Sequence, residues 1–427
     1  MEENRGARRV IQVSKSIVGP VEPKPNAVRP KRVGDYPGVP GVYLQLARKF
    51  SSPRLMGPPI CDELIALLQH TFTEEEAGVV RHLGALRARG ARGVARAEHR
   101  PLDEVERILH RLAFEKRTIL CDGPNPKRRY TLLPVMPGMY EMVLIGESPE
   151  RMSEWHRRFA ELVEALFETG YTCDYPDFPS RVFRFLPLGR AVGGHPMALP
   201  SDRLEVVLER FDTFGVGHCQ CRMSQQIVGQ GCGKPLEVCT AMGDWARLGI
   251  ARGWLRRVAR DDVLAIKREA ESHGLVTWLV NVESTRSQAS CSCCGCCCKA
   301  MRVVSQFNVP GVVAPPHFMP RFDRSRCTYC GRCAASCPMG AITVDTERKS
   351  LEHEPARCIG CGLCRLACDR RQAIAMEPVP DYRVPYKSWF SLLLHNVPGA
   401  LRASWKVPRS RRAARDDSQS LEQRDPR

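Results

Sequence analysis

Apolar positions recur with a helical period in several separate segments. Val105, Ile108, Leu109, Leu112 and Ala113 follow Pro101 at that spacing, and Trp155, Phe159, Leu162, Val163, Leu166 and Phe167 line one side of 152–170. The first pattern predicts a helix after Pro101; the second predicts one that ends at Gly170 with its aromatic residues in a core. Thr73 with Glu76 three residues on reads as a capping box, and Phe72 with Ala77 as its hydrophobic staple, so another helix starts there. Amphipathic helices also fit 202–211 and 261–273, the latter stopping at Gly274 before the strand-like LVTWLVN. Between 117 and 133, the runs TIL and YTLL flank CDGPNPKRR, two β-prone segments around a turn.

These elements divide the chain. Residues 1–40 carry Pro20, Pro23, Lys24, Pro25, Pro30, Lys31 and Arg32 without a hydrophobic period, and read as an extended basic arm. In 41–147, helix, basic connector, helix and hairpin together resemble a winged helix-turn-helix. A cysteine-rich middle region of mixed α/β character spans 148–310, a second cysteine-rich domain 317–380, and an amphipathic, basic tail 381–427. The expected fold class is α+β and multidomain.

Composition narrows the chemistry. The chain has 427 residues, 43% hydrophobic and 26% charged, and no stretch approaches the roughly 18 apolar residues of a membrane-spanning helix. The N-terminus has paired arginines but no apolar segment behind them, which predicts a cytoplasmic protein. Its 21 cysteines, in a reducing compartment, point to metal or redox chemistry rather than disulfides. With 64 Lys and Arg against 47 Asp and Glu the formal charge is +17. Metal–thiolate clusters, each about −2, would lower that total, and two would leave about +13. That excess suits an acidic protein partner, nucleic acid or an anionic membrane.

The strongest motif is Cys327-x2-Cys330-x2-Cys333-x3-Cys337-Pro338, followed by Cys358-x2-Cys361-x2-Cys364-x3-Cys368. Two such runs form the two-cluster bacterial ferredoxin pattern, because three cysteines two residues apart wrap one corner of a cubane within a single loop. Gly331, Gly360 and Gly362 allow the backbone angles of that loop. The fourth ligand crosses over. Cys327, Cys330, Cys333 and Cys368 are expected to hold one cluster, and Cys337, Cys358, Cys361 and Cys364 the other. Asp369 stands where the pattern has proline. Short apolar strands, Ala341-Ile342-Thr343 and Ala373-Ile374-Ala375, follow the two runs as in an internal repeat. A pair of zinc sites is the rival reading, disfavoured because no histidine is interleaved.

Upstream lie two further groups. Cys219, Cys221, Cys232 and Cys239 suffice for a third cluster or a zinc ion, and buried unligated thiols are the plainer alternative. Cys291, Cys293, Cys294, Cys296, Cys297 and Cys298 fall within eight residues. Neighbouring residues point in different directions, so only a subset can serve one cubane, and spacing alone does not select it.

These features together resemble a family of large, mostly uncharacterised prokaryotic iron–sulfur proteins. Its marks are a winged-helix-like N-terminal part, CxCR with GxGCxKPLExC, here at 218–239, CxCCGCCC at 291–298, and a C-terminal dicluster ferredoxin domain. The resemblance implies 4Fe–4S binding and electron transfer, and supplies no substrate.

Two functions follow as expectations. In the first, the chain is an electron-transfer protein or oxidoreductase subunit with an acidic redox partner, for which Arg326, Arg332, Arg357 and Arg365 flank the ligands. No nucleotide fingerprint or hydrolytic triad points to independent catalysis. In the second, it is an iron–sulfur redox sensor that binds DNA through Arg81, Arg87, Arg89, Arg92, Arg96, Arg100 and a wing tip of Lys127, Arg128 and Arg129. Asp103, Glu104, Glu106 and Glu115 oppose phosphate contact and favour a protein partner. The segment 383–427, with Trp389, Phe390, Leu392, Leu393 and Leu394 before Arg402 and Lys406, reads by default as packing on the protein's own surface, with peripheral contact at the inner membrane face as the alternative.

Overall fold

Short β-prone runs, none longer than seven residues, build the largest sheet. In a computed structural model that describes residues 7–85, 87–124, 126–175, 181–192, 194–284 and 286–422, six strands lie in the order Phe183–Phe185, Val276–Val280, Ser287–Cys293, Glu237–Gly243, Phe214–His218, Arg256–Val258. Every pairing among them is antiparallel. Helix Arg260–Ser272 starts where the Ala259 N–H donates to the Asp262 carboxylate at 2.9 Å. Its Val263 and Ile266 join Val207, Leu208, Phe214, Met242 and Leu279 in one apolar cluster that covers this sheet.

The ferredoxin segment belongs to the same unit, which comprises Met1–Pro25, Gly146–Pro149 and Pro176–Gly399. Strand Ile342–Asp345 pairs with Ser350–His353, and Phe318–Phe322 pairs with Ile374–Pro378. The two repeat strands therefore take different partners. Ile11–Ser14 and Ile17–Pro20 form a hairpin that adds to Ile342–Asp345, so the arm expected over 1–40 is structured in that stretch. Its cause is local: β-branched Ile11, Val13, Ile17 and Val18 flank a two-residue turn in which Lys15 takes φ 51.

The second unit comprises Asn26–Ile145, Glu150–Tyr175 and Ala400–Arg427. Helix Glu74–Val80 begins with the expected capping box, Glu76 N to Thr73 Oγ1 at 3.2 Å and Thr73 N to Glu76 Oε2 at 3.0 Å. Glu76, only 1% exposed, also binds Arg111 at 3.0 Å and Lys116 at 2.7 Å. Helices Ala91–Glu98 and Leu102–His110 follow, and strands Arg89–Gly90, Arg129–Leu132 and Ile119–Asp122 make a three-stranded sheet in that order. Helix Glu154–Glu168 packs against Asp62–Thr71, and Trp155 Nε1 donates to His70 O at 3.2 Å. Its aromatic stripe finds its core here, so the boundary expected at 148 falls too early for this helix. The tail forms one helix, Trp389–Glu422, and none of the described helices is long and apolar enough to cross a membrane.

Candidate functional site

Each ferredoxin loop ends in a short helix entered through a left-handed glycine. Gly331 at φ 73 precedes Arg332–Ala335, and Gly362 at φ 81 precedes Leu363–Ala367. The loops enclose separate cavities. Cys327, Cys330, Cys333 and Cys368 line one, with Phe322, Val344, Leu351 and Ile374 as apolar walls. Cys337, Cys358, Cys361 and Cys364 line the other, with Met339, Ile342, Ile359 and Met376. The residues present suit an iron–sulfur cluster in each. Backbone N–H groups approach the sulfurs, Tyr329 to Cys327 at 3.4 Å, Ala341 to Cys337 at 3.3 Å and Gly360 to Cys358 at 3.4 Å. At Gly360, φ 64, a Cβ would also overlap the Phe318 carbonyl, so only glycine lets that turn close.

Burial pushes the Cys333 thiol of the first cavity and the Cys358 thiol of the second up to about 12 and raises Cys361 and Cys364 of the second further, so thiolates in either cavity need a cationic centre beside them. Cys330 is exposed, which opens the first cavity to the surface. Arg357 is buried and donates to Met339 O at 3.1 Å and Ser305 O at 3.2 Å, a structural use the sequence does not reveal. Asp369 occupies the proline position and donates its N–H to Leu366 O at 3.3 Å, a bond proline lacks.

The middle cysteines regroup. The expected set Cys219, Cys221, Cys232 and Cys239 lies in one buried cluster, which Cys294, Cys296 and Cys297 also join. Gly229 and Gly233, at φ 72 and φ 66, flank the segment that carries Cys232, whose sulfur lies 4.0 Å from Cys294. Cys232, Cys294, Cys296 and Cys297 have all four sulfurs within 4.8 Å of one another. The other six thiols close a ring by thiol–thiol contacts, in the order Cys219, Cys221, Cys298, Cys293, Cys291, Cys239 and back. Strand register explains half of it: Ser290 pairs with Thr240, so the next position sets Cys291 beside Cys239. Cys291 and Cys293 share one face of their strand, and Cys298 caps helix Lys299–Ser305.

Buried cations surround these sulfurs. Arg222 is 1% exposed; its Nη1 donates to Ser292 O at 3.0 Å and reaches Cys294 Sγ at 4.0 Å. Its Nε and Nη2 have no hydrogen-bond partner among the described residues. Lys267, 2% exposed, donates to Ser290 O at 3.0 Å and Val238 O at 3.2 Å. The thiols of Cys239 and then Cys293, with the Lys267 charge adding, pull Cys291 down to about 6. Hydrogen bonds from Cys232, Cys296 and Cys297, with Arg222 adding, hold Cys294 well below the ordinary thiol range. Cys291, Cys294 and Cys232, the last drawn down to about 7, are thus the thiols favoured as anions, whereas neighbouring thiols and burial push the other seven up. The sequence marks Arg222 only as the arginine of CxCR and passes over Lys267, although the latter falls on the helical face of Val263 and Ala270.

One apolar cluster joins the two regions: Cys293, Cys298, Met301, Met339, Ile359 and Cys361 pack together, with Cys337 against them.

Residues 319–369 match the 4Fe-4S dicluster domain family. The chain is 36% identical over 61 residues to a ferredoxin-like protein in the nif region of Rhizobium leguminosarum bv. trifolii, 14% of this chain and 88% of that one. It is 25% identical over 69 residues to a ferredoxin of Methanocaldococcus jannaschii, 16% of this chain and 45% of that one. It is also 38% identical over 60 residues to DNA-directed RNA polymerase subunit Rpo3 of Methanosarcina acetivorans, 14% of this chain and 23% of that one. The chain thus spans less than half of the last two relatives. No solved structure matches it.

Proposed function

Because this chain belongs, through its C-terminal domain, to the 4Fe-4S dicluster ferredoxins, we propose that it is an electron-transfer protein with two 4Fe–4S clusters and a third centre in the six-thiol ring. A bound cluster supplies a one-electron couple whose potential follows charge, hydrogen bonding and burial. The ligand sets are those that line the two cavities, and the N–H groups of Tyr329, Ala341 and Gly360 favour added negative charge at the sulfurs. One observation carries the proposal of a continuous path: Cys293 and Cys298 of the ring share a buried apolar cluster with Cys361. Exposed Cys330, with Arg370 and Arg371 at the first cavity, is the exit toward an acidic partner. Iron and acid-labile sulfide per chain test the reading. About twelve or more of each support it, about eight leave the ring without a cluster, and zinc without sulfide removes the electron-transfer role.

For the second unit we propose a winged-helix arrangement used against protein. Arg81 is held by Glu98 at 2.8 Å and Arg100 by Glu75 at 2.9 Å, which takes two cations from the basic run, while Asp103 and Glu106 are exposed on the second helix. The DNA-binding sensor is the weaker reading; a salt-dependent shift of duplex DNA would restore it. In the tail, Phe390, Leu394, Val397, Leu401 and Trp405 are exposed at helical spacing beside basic Arg402 and Lys406. That stripe supports peripheral contact with an anionic membrane from the cytoplasmic side. Flotation with anionic liposomes, lost on deletion of 383–427, is the expected result; no flotation of the full chain overturns it.

A further inference from the structure

The ten thiols of the middle region are unevenly spaced, although Cys219, Cys221 and Cys239 share a buried cluster with Cys232, Cys294, Cys296 and Cys297. Four of them meet in a space too small for a cubane. The sulfurs of Cys296 and Cys297 are 3.7 Å apart, those of Cys232 and Cys294 are 4.0 Å apart, and all four lie within 4.8 Å of one another. A tetrahedron with metal–sulfur bonds of about 2.3 Å has sulfur–sulfur edges of about 3.8 Å. A 4Fe–4S cluster keeps its four outer sulfurs farther apart, because four irons and four sulfides stand between them. Among the described residues, this is the one group of thiol, imidazole or carboxylate ligands drawn so close; the ferredoxin cysteines instead line cavities. Disulfides do not explain the contacts either, since an S–S bond is about 2.05 Å.

We infer that Cys232, Cys294, Cys296 and Cys297 bind a single zinc ion as a closed, tetrahedral four-thiolate site, separate from any iron–sulfur cluster. Burial suits a structural ion with no open position: Cys232 is 7% exposed, Cys294 3% and Cys297 0%, and no histidine enters the set. Charge suits it too. Four thiolates on a divalent ion carry a net charge of about −2. The buried Arg222 guanidinium, 4.0 Å from Cys294 Sγ and with Nε and Nη2 unmatched among the described residues, supplies the counter-charge. Anionic sulfurs beside it offset the cost of burying this cation.

The ion has a mechanical role. Residues 230–235 have no helix or strand, and Cys232 is their deepest member. Cys294, Cys296 and Cys297 sit in the tight loop between strand Ser287–Cys293 and helix Lys299–Ser305. At Gly295 a Cβ would overlap the Pro338 carbonyl beside Cys337. The ion therefore staples a structureless segment to the loop that carries two ring thiols, Cys293 and Cys298, on its flanks. Zinc has no redox couple, so the staple does not change as electrons pass nearby.

The test is metal analysis of the full chain, purified without oxygen, as wild type, Cys296→Ser and Cys239→Ser. Wild type and Cys239→Ser are expected to hold about one zinc per chain, and Cys296→Ser to lose it with iron and sulfide unchanged. Loss of iron and sulfide together from Cys296→Ser would overturn the proposal, as would zinc retained by that variant. Loss of one iron without sulfide would overturn zinc as the metal. If Cys296→Ser does not accumulate, zinc-edge X-ray absorption of wild type decides: four sulfurs at about 2.3 Å support the site, and any nitrogen or oxygen ligand contradicts it.

Discussion

Cys298 of the cysteine-crowded loop and Cys361 of the ferredoxin domain lie in one buried apolar cluster, packed with Met339 and Ile359. Sixty-three residues separate them in sequence, and only the fold makes them neighbours. Met339→Ala is expected to cost about 2–5 kcal/mol, the range for truncating a fully buried methionine. Thermal unfolding measures that cost. Stopped-flow reduction should show slower electron equilibration within the chain while iron content is kept; an unchanged rate would separate the packing from the path.

Crossed ligation predicts which cysteines act together. Cys368→Ser and Cys330→Ser should remove the same low-temperature EPR species, and Cys337→Ser and Cys358→Ser the other. Joining Cys368→Ser to Cys330→Ser should remove no further iron. If Cys368→Ser instead removes the species lost in Cys358→Ser, the ligands do not cross.

Arg222 is stabilised only when the sulfurs around it are anionic. Arg222→Met should cost about 3–5 kcal/mol in the metal-loaded protein, as breaking a buried charge pair does. In the metal-free protein Cys294 is the adjacent thiol held below the ordinary range, so the same change should cost less. Denaturant unfolding of both forms gives the two costs. An equal cost in both would contradict added thiolate charge in the metal-loaded site.

His353, on the strand beside Ile342–Asp345, is half-buried, and burial holds its imidazole below the usual value of 6.5. The unfolded chain therefore takes up a proton that the folded chain resists. Stability from this group is complete above pH 6.5 and falls as pH drops below it, by at most about 1.4 kcal/mol per pH unit. His353→Gln should flatten that acid limb in a pH series of unfolding midpoints.

The ferredoxin segment was legible because its ligands are spaced locally, and a loop of three cysteines declares its own geometry. The capping box at Thr73 and Glu76 was legible for the same reason. The sorting of the middle cysteines was not, because it depends on strand register and loop closure: nothing near Cys239 in sequence points to Cys291, and nothing near Cys232 points to Cys294, Cys296 and Cys297. The hairpin Ile11–Pro20 was hidden by two four-residue strands beside a proline-rich stretch, too short to outweigh the composition around them. Arg222 and Lys267 look like ordinary surface cations until the fold closes over them.

The central claim, electron transfer through neighbouring clusters, is tested most directly by low-temperature EPR of the anaerobic protein during reductive titration. The expected result is reversible appearance of reduced 4Fe–4S signals, broadened by coupling between adjacent clusters. A protein that holds zinc, shows no sulfide and gives no reduced-cluster signal would contradict the account.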